Sequence, residues 1–349
     1  MMEELTRNRY GAFAELVRDP RRAGRWLILT HDNPDPDALT AAAILGRILH
    51  NGFKQKVTLA YGGIIGRAEN QELVRTLGVK FSHLRHLNLR VYQRFALVDA
   101  QPFTGNSQLP DATLPEIVFD HHPERERVQR VPFTDIRPDY GATATVLAEY
   151  LEISGLPIPA SMATAVVYAI RSETQEFGRE YDAADKAVYD RFLPQADRRA
   201  LARIQNARLP VSYFRNLHEA LENMETVDTL VVSHLGEVEQ PDIVPEIADL
   251  LLRMEGKTWS LTTGRFGDRV YLSMRTTNPR ADAGALMRRL VGRRGKGGGH
   301  GMLAGGWIPV DRAPGKDPAA LQKALGRRLA RTLRKNPERM VPVKLQVSA

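Results

Sequence analysis

The chain contains no cysteine. That excludes disulfides, thiolate-held zinc, iron–sulfur centres and a thiol nucleophile. Any metal must be held by imidazole, carboxylate and water, a donor set that suits manganese, magnesium or another divalent ion. Long apolar runs are also missing, and the opening MMEELTRNRY lacks the apolar core of a signal peptide. A cytoplasmic protein with no membrane partner is therefore expected. Aromatic residues make up only 7% and are not interleaved with basic ones, which counts against a long stacking channel for single strands. The glycines of YGGIIGR (61–67) miss the GxGxxG spacing, so a dinucleotide-dependent oxidoreductase is set aside.

A length of 349 residues points to two domains, and 43% apolar residues suffices for sizeable cores. The net charge of +8 is unevenly placed. Residues 311–349 hold ten Lys and Arg against three acids, and 275–300 hold seven against Asp282 alone, so residues 1–274 are net acidic. An acidic part followed by a basic part suits a metal site paired with a binder of anionic substrate, although a basic terminal helix also arises as mere solvated surface.

RWLILT, KVTLAY, RFALVDA and EIVFDHH read as strands, and DALTAAAILGRILHNG and RAENQELVRTLG between them as helices. This alternation predicts a parallel α/β sheet. Residues 1–194 form the expected first domain and 195–226 a polar helical connector. Residues 227–339 form a smaller α/β domain with a hairpin (WSLTTGR, RVYLSMRT), a helix, a glycine loop, a strand and a terminal helix.

THDNPDPDALTAA (30–42) crowds His31, Asp35 and Asp37 just after the first strand. Unpaired carboxylates repel, so the crowding costs stability unless cations lie between them. Asp99 ends the strand RFALVD, and Asp120, His121 and His122 end EIVFD. In open α/β sheets the carboxyl ends of strands share one edge, so three strands deliver acid or imidazole to one place. Carboxylates that can bridge, with imidazoles, are the donors of a site for two divalent ions. The plainer alternatives are that Asp37 N-caps the following helix, that Asp35 shapes a Pro-rich turn and that Asp99 closes a turn. His50, His83, His86, His218 and His234 are given no role.

HDNPDPDA, VDAQP and FDHHP resemble the motifs of the DHH phosphoesterase superfamily, and GKGGGHGMLAGG (295–306) resembles the GGGH signature of its DHHA1 domain. The resemblance spans roughly residues 20–335 and implies an N-terminal parallel-sheet DHH domain, a C-terminal α/β DHHA1 domain and an active site in the cleft between them. It implies that His31, Asp35 and Asp37 are metal ligands, that Asp99 bridges two metals and that His121 is a further ligand. Asp120 would orient an imidazole and His122 would face the substrate phosphate. Gly297, Gly298, Gly299 and His300 match the substrate-binding loop, and Arg275 resembles an arginine that grips a terminal phosphate. The family has an Asp where this chain reads RSETQEF. Glu173 would take that ligand's place with a carboxylate about 1.5 Å further out.

The resemblance implies a metal-dependent phosphoesterase, nearest in look to the nano-RNase/pAp phosphatase and cyclic-dinucleotide phosphodiesterase group. Two divalent ions are the expected cofactors, Mn2+ before Mg2+ or Co2+. Short oligonucleotides, pAp-like nucleotides or dinucleotides are the expected substrates, and a homodimer is the assembly considered. The scarcity of aromatics weighs against a processive RecJ-like exonuclease. The alternatives are a pyrophosphatase-like hydrolase and a non-catalytic nucleotide-binding sensor.

Overall fold

Five buried residues in succession, Trp26 to Thr30, make the first strand a central one, covered on both faces. The computed structural model describes residues 2–110, 112–178 and 180–343, except for the side chains of Met2, Glu3 and His300. The chain divides into two units, 1–207 and 208–349.

The first unit runs α1 (Met2–Arg18), β1 (Trp26–Asp32), α2 (Pro36–Arg47), β2 (Val57–Gly62), α3 (Ala68–Leu77), β3 (Phe81–His83), β4 (Arg94–Val98), β5 (Ile117–Asp120) and β6 (Phe133–Ile136). Four helices follow: α4 (Thr143–Ile153), α5 (Ala160–Glu173), α6 (Ala183–Phe192) and α7 (Arg198–Gln205). The sheet order is β3-β2-β1-β4-β5-β6, and every pairing is parallel. The chain moves outward from β1 through β2 and β3, then returns to lay β4 on the other side of β1. That reversal opens a crevice beyond the carboxyl ends of β1 and β4, where ligands bind in open α/β sheets. One helix escaped the periodicity reading. α1 buries Phe13 and Val17 in the core, and its last carbonyls, Leu16 and Val17, accept from the buried Arg94 guanidinium.

The second unit runs α8 (Val211–Glu222), β7 (Glu225–Val227), β8 (Leu230–Glu237), α9 (Ile243–Leu252), β9 (Trp259–Phe266), β10 (Arg269–Thr276), α10 (Ala283–Val291), β11 (Lys296–His300), β12 (Leu303–Pro309), α11 (Pro318–Thr332) and β13 (Val341–Pro342). Its sheet order is β11-β12-β10-β9-β8-β7-β13, and β9 and β10 form the expected hairpin. The stretch 195–226, read as a connector, holds α7 in the first unit and α8 in the second, with the division between them.

The expected glycine loop is instead a strand. β11 pairs antiparallel with β12 over Lys296–His300. A Cβ on Gly297 would press on Met287 and Val291 of α10, and one on Gly284 of α10 would collide with the Gly299 backbone. These glycines let helix and strand backbones approach closely, a packing need that composition alone does not separate from looseness.

His234 of β8 shows how burial shapes this unit's pH response. Burial first, then the charge of Lys323, pulls its pKa down to about 4. The folded state keeps the ring neutral while the unfolded chain takes a proton near pH 6.5. Stability of the second unit is therefore expected to fall as pH drops from about 6.5 toward about 4. Urea midpoints for wild type and His234→Gln measured across that range test this. Parallel pH dependences would show that His234 contributes nothing.

Candidate metal centre

The Asn-Pro-Asp-Pro turn after β1 aims two carboxylates differently. Asp35 is the N-cap of α2, its Oδ1 accepting from the Ala38 N–H at 2.9 Å. Asp37, whose plainer alternative to a ligand role is to cap that same helix, caps another: its oxygens accept from the Thr143 and Ala144 N–H groups of α4, at 2.8 and 2.7 Å. It thus meets the positive end of α4, and it is 1% exposed. Asp32 packs on Gly62.

Asp99 follows β4 with φ 54°, in the left-handed region that Asp tolerates better than most residues. Its Oδ1 accepts from the Thr143 hydroxyl at 3.0 Å. His31 Nε2 lies 3.3 Å from Asp99 Oδ2 and 3.7 Å from Asp35 Oδ2. His121 Nε2 lies 3.6 Å from Asp99 Oδ1 and 3.9 Å from Asp37 Oδ2. Among the described residues, two groups hold ligand atoms within 4.8 Å of one another: His31, Asp35 and Asp99, and Asp99, His121 and His122. Asp99 belongs to both.

The imidazole tautomers test whether a cation fits. His31 Nδ1 lies 2.9 Å from the Asp32 carbonyl and His121 Nδ1 lies 3.1 Å from the Tyr140 carbonyl. A carbonyl only accepts, so each Nδ1 carries the hydrogen. In the neutral rings both Nε2 lone pairs then face carboxylate oxygens, and two acceptors facing each other need a proton or a metal ion between them. Two ligands each about 2.1 Å from one ion are about 3.0 Å apart at a right angle and further apart at wider angles. The observed spacings fit a divalent ion.

The electrostatics agree. Burial, then the Asp99 charge, pushes Asp37 well above the usual carboxylate range. Burial followed by the Asp35 charge pushes Glu173 up to about 7. Burial opposes charge on His31, but Asp35 and Asp99 outweigh it and hold its pKa well up. Burial likewise opposes ionisation of Asp99, which His31, His122 and His121 overcome to hold it low. The cluster is a concentration of negative charge that favours a cation.

Glu173 ends α5 beside this cluster but belongs to neither close group. If it ligates, metal titration of wild type, Glu173→Asp and Glu173→Gln should give different isotherms, with one site several-fold looser or tighter in the variants. Three superimposable isotherms would remove it from the ligand set.

His122 is held by its neighbours. Its Nδ1–H donates to Asp120 Oδ1 at 2.8 Å, leaving Nε2 as the nitrogen that gains or loses a proton. The same oxygen accepts from the His121 and His122 backbone N–H groups, at 2.9 and 3.2 Å. Gln101 Nε2 donates to Asp120 Oδ2 at 2.6 Å, and Gln101 Oε1 accepts from the Arg125 N–H at 2.8 Å. Gln101, 2% exposed, and Thr143 are positioning residues that motif reading missed. Gln101 sits inside the VDAQP motif, so its signal was present, whereas Thr143 stands far away in sequence and only folding brings it to Asp99.

In the second unit, Arg275 lies one residue before the end of β10, with its Nε donating to Asp249 at 2.7 Å and Nη1 to the Met274 and Ala304 carbonyls. Gly298 faces open space, while Gly297 and Gly299 face packed neighbours. The His300 side chain lies outside the described residues.

Comparison with known proteins places both units. The N-terminal domain of the DHH family matches residues 25–170, and the DHHA1 domain matches 228–329. An uncharacterized protein of Methanocaldococcus jannaschii is 33% identical over 287 residues, which is 81% of this chain and 58% of that protein. The chain thus matches little more than half the length of this relative. An exopolyphosphatase-related protein of Bacteroides fragilis superposes with TM-score 0.71 at 15% identity, covering 94% of this chain and 98% of the other. RecJ of Thermus thermophilus, solved in complex with Mn2+, superposes with TM-score 0.53 at 18% identity, covering 91% of this chain and 55% of RecJ. At these identities the two structures share the fold. Among the described residues no helix is long and apolar enough to cross a membrane.

Proposed function

This chain belongs to the DHH family, a family of metal-dependent phosphoesterases, with a DHHA1 domain in its second unit, and we propose that it hydrolyses phosphoesters of short oligonucleotides, pAp-like nucleotides or linear and cyclic dinucleotides. One observation carries the reading: two imidazole lone pairs converge on Asp99, a carboxylate held in a left-handed conformation at the sheet's switch point.

His31, Asp35, Asp37, Asp99 and His121 would hold divalent ions, with Mn2+ the ion proposed and Glu173 a further candidate ligand. Bound there, such ions supply Lewis acidity, making water a stronger acid and offsetting the charge of the attacked phosphoryl group. The protein's own residues do the rest. When protonated, His122 donates through Nε2–H to a phosphoryl oxygen as negative charge develops, or gives that proton to the departing oxygen. Asp120 fixes the ring's orientation and favours its protonated form; burial opposes that form, but the Asp120 hydrogen bond outweighs it and the His122 pKa is raised. Gln101 in turn holds Asp120 in place.

In the second unit, Arg275 and the backbone of Gly297, Gly298 and Gly299, with His300, would grip the far part of the substrate. His300→Ala and Arg275→Ala are expected to lower kcat/KM for a nucleotide by about ten- to hundredfold and for bis(p-nitrophenyl) phosphate by no more than about twofold. Asp249→Ala is the structural control, because Arg275 also ties β10 to α9. Equal losses on both substrates would end this assignment.

The direct test is a manganese-supplemented hydrolysis panel of two- to five-nucleotide RNAs, pAp, cyclic dinucleotides and pyrophosphate. Turnover of nucleotide substrates supports the reading. Turnover of pyrophosphate alone replaces it with the pyrophosphatase reading, and binding without turnover replaces it with a nucleotide sensor.

A further inference from the structure

A cavity of about 610 Å³ lies in the first unit, away from the carboxylate cluster. Its volume is that of small-molecule sites. The metal cluster lies at the carboxyl ends of the strands, whereas this cavity is lined by Val57 and Thr58, the first residues of β2. α2 spans both places, with Asp37 in its first turn and Arg47 in its last. At about 1.5 Å per residue these positions are about 15 Å apart along the helix. α5 spans them too, with Ser161 and Met162 at the cavity and Glu173 at the cluster.

The lining has a definite chemical character. Arg47, Lys80 and His50 line it, and none of its lining residues is Asp or Glu. That wall sits within residues 1–274, which are net acidic. Arg47 is pre-ordered, since its Nε and Nη2 donate to the Pro157 carbonyl at 3.2 and 2.7 Å. Neither Arg47 nor Lys80 has a carboxylate partner among the described residues. Hydroxyl donors sit nearby: Tyr92 donates to Thr58 Oγ1 at 3.1 Å, which turns the Thr58 hydrogen elsewhere, and Ser82 and Ser161 also line the space.

The rest of the lining is apolar, with Leu59, Leu87 and Met162 among it. After α2 the helix widens into a π turn over Ile48–Gly52, closed by the Phe53 N–H on the Ile48 carbonyl at 3.2 Å. Such turns recur at functional sites. This one places His50 and Asn51 in the cavity wall and commits His50 Nδ1–H to the Gln55 carbonyl.

We propose that this cavity is a second ligand site, which takes a small organic anion: one phosphate or carboxylate group, gripped by Arg47 and Lys80, on a ring or other apolar body seated against Leu59, Leu87 and Met162. Cationic donors without competing acids select the charge, and the apolar wall selects against a bare inorganic anion.

The proposal is independent of the phosphoesterase reading, because its test involves no turnover. Isothermal titration of protein stripped of metal and dialysed free of chelator, where the uncovered carboxylate cluster repels anions, uses two probes: adenosine 5′-monophosphate for the phosphate source and 2-naphthoate for the carboxylate source. Adenosine and inorganic phosphate are the controls.

At least one probe should bind one-to-one with a dissociation constant below about 1 mM. The probe that binds identifies the source. Lys80→Glu, at an exposed position, should weaken it at least about tenfold. Ser161→Phe, which fills the space, should abolish it, with thermal melting to show that the variant folds. Lys56→Glu, outside the cavity, should leave it within about twofold. The proposal is overturned if neither probe binds at about 1 mM, if adenosine or inorganic phosphate binds as tightly as the probes, or if both cavity variants bind as wild type does.

Discussion

Asp99→Asn should lower kcat/KM for the best substrate of the hydrolysis panel by about a thousandfold or more. Asp99 belongs to both potential ligand groups, so its loss weakens both together. Losing about 4 kcal/mol of transition-state charge stabilisation corresponds to about three orders of magnitude in rate. Asn is the right replacement because the residue has φ 54°, and Ala would add left-handed strain of about 1–2 kcal/mol to the lost ligand.

The apo variant should melt somewhat lower than apo wild type, since His31, His122 and His121 hold the Asp99 carboxylate ionised against burial and Asn forfeits that attraction. Ion binding to the folded state raises the melting temperature, so the rise expected on adding manganese to wild type should vanish in the variant. If hydrolysis and metal content both persist, the site is not centred on Asp99.

His122→Ala should lower kcat by about a hundred- to a thousandfold, the usual cost of removing one donor aimed at developing charge. Gln101→Leu should cost about ten- to a hundredfold, as losses of orienting partners do. Gln101 touches Asp120, and Asp120 touches His122, so the effects should not add. In the His122→Ala background, Gln101→Leu should cost about threefold or less, since there is no ring left to orient. A double variant whose loss equals the product of the two single losses would show that Gln101 acts independently of His122. An unchanged fold, read by circular dichroism, is the control for both.

Much of this was legible in the order of residues. The alternation of strand-like and helix-like segments places β1, β2, β4 and β5 correctly, because a buried parallel strand must be apolar nearly throughout. The carboxylates and imidazoles after those strands could be assigned to one edge without coordinates, because parallel strands end on the same side. Other features were not legible. The partner of Asp37 is the first turn of α4, more than a hundred residues away, and no local rule couples them. β11 read as a loop because glycine has low strand propensity, yet its neighbour α10 needs the space that glycine leaves. α1 was missed because its apolar positions are sparse among charged ones, and a core must be there to receive them before the helix is held.

The sequence by itself determined the chemical inventory: carboxylates and imidazoles with no thiolate, carried at the ends of parallel strands, and a basic glycine-containing second unit. These follow from composition and period, which are local properties. Only the tertiary structure decided which atoms meet. It turned Asp99 into the left-handed region, set two Nδ1–H groups on backbone carbonyls so that both Nε2 lone pairs face inward, and used Asp35 rather than Asp37 to cap α2. Hydrogen-bond pairing of buried polar groups is settled when distant segments pack together, because each group takes the partner that burial brings within reach.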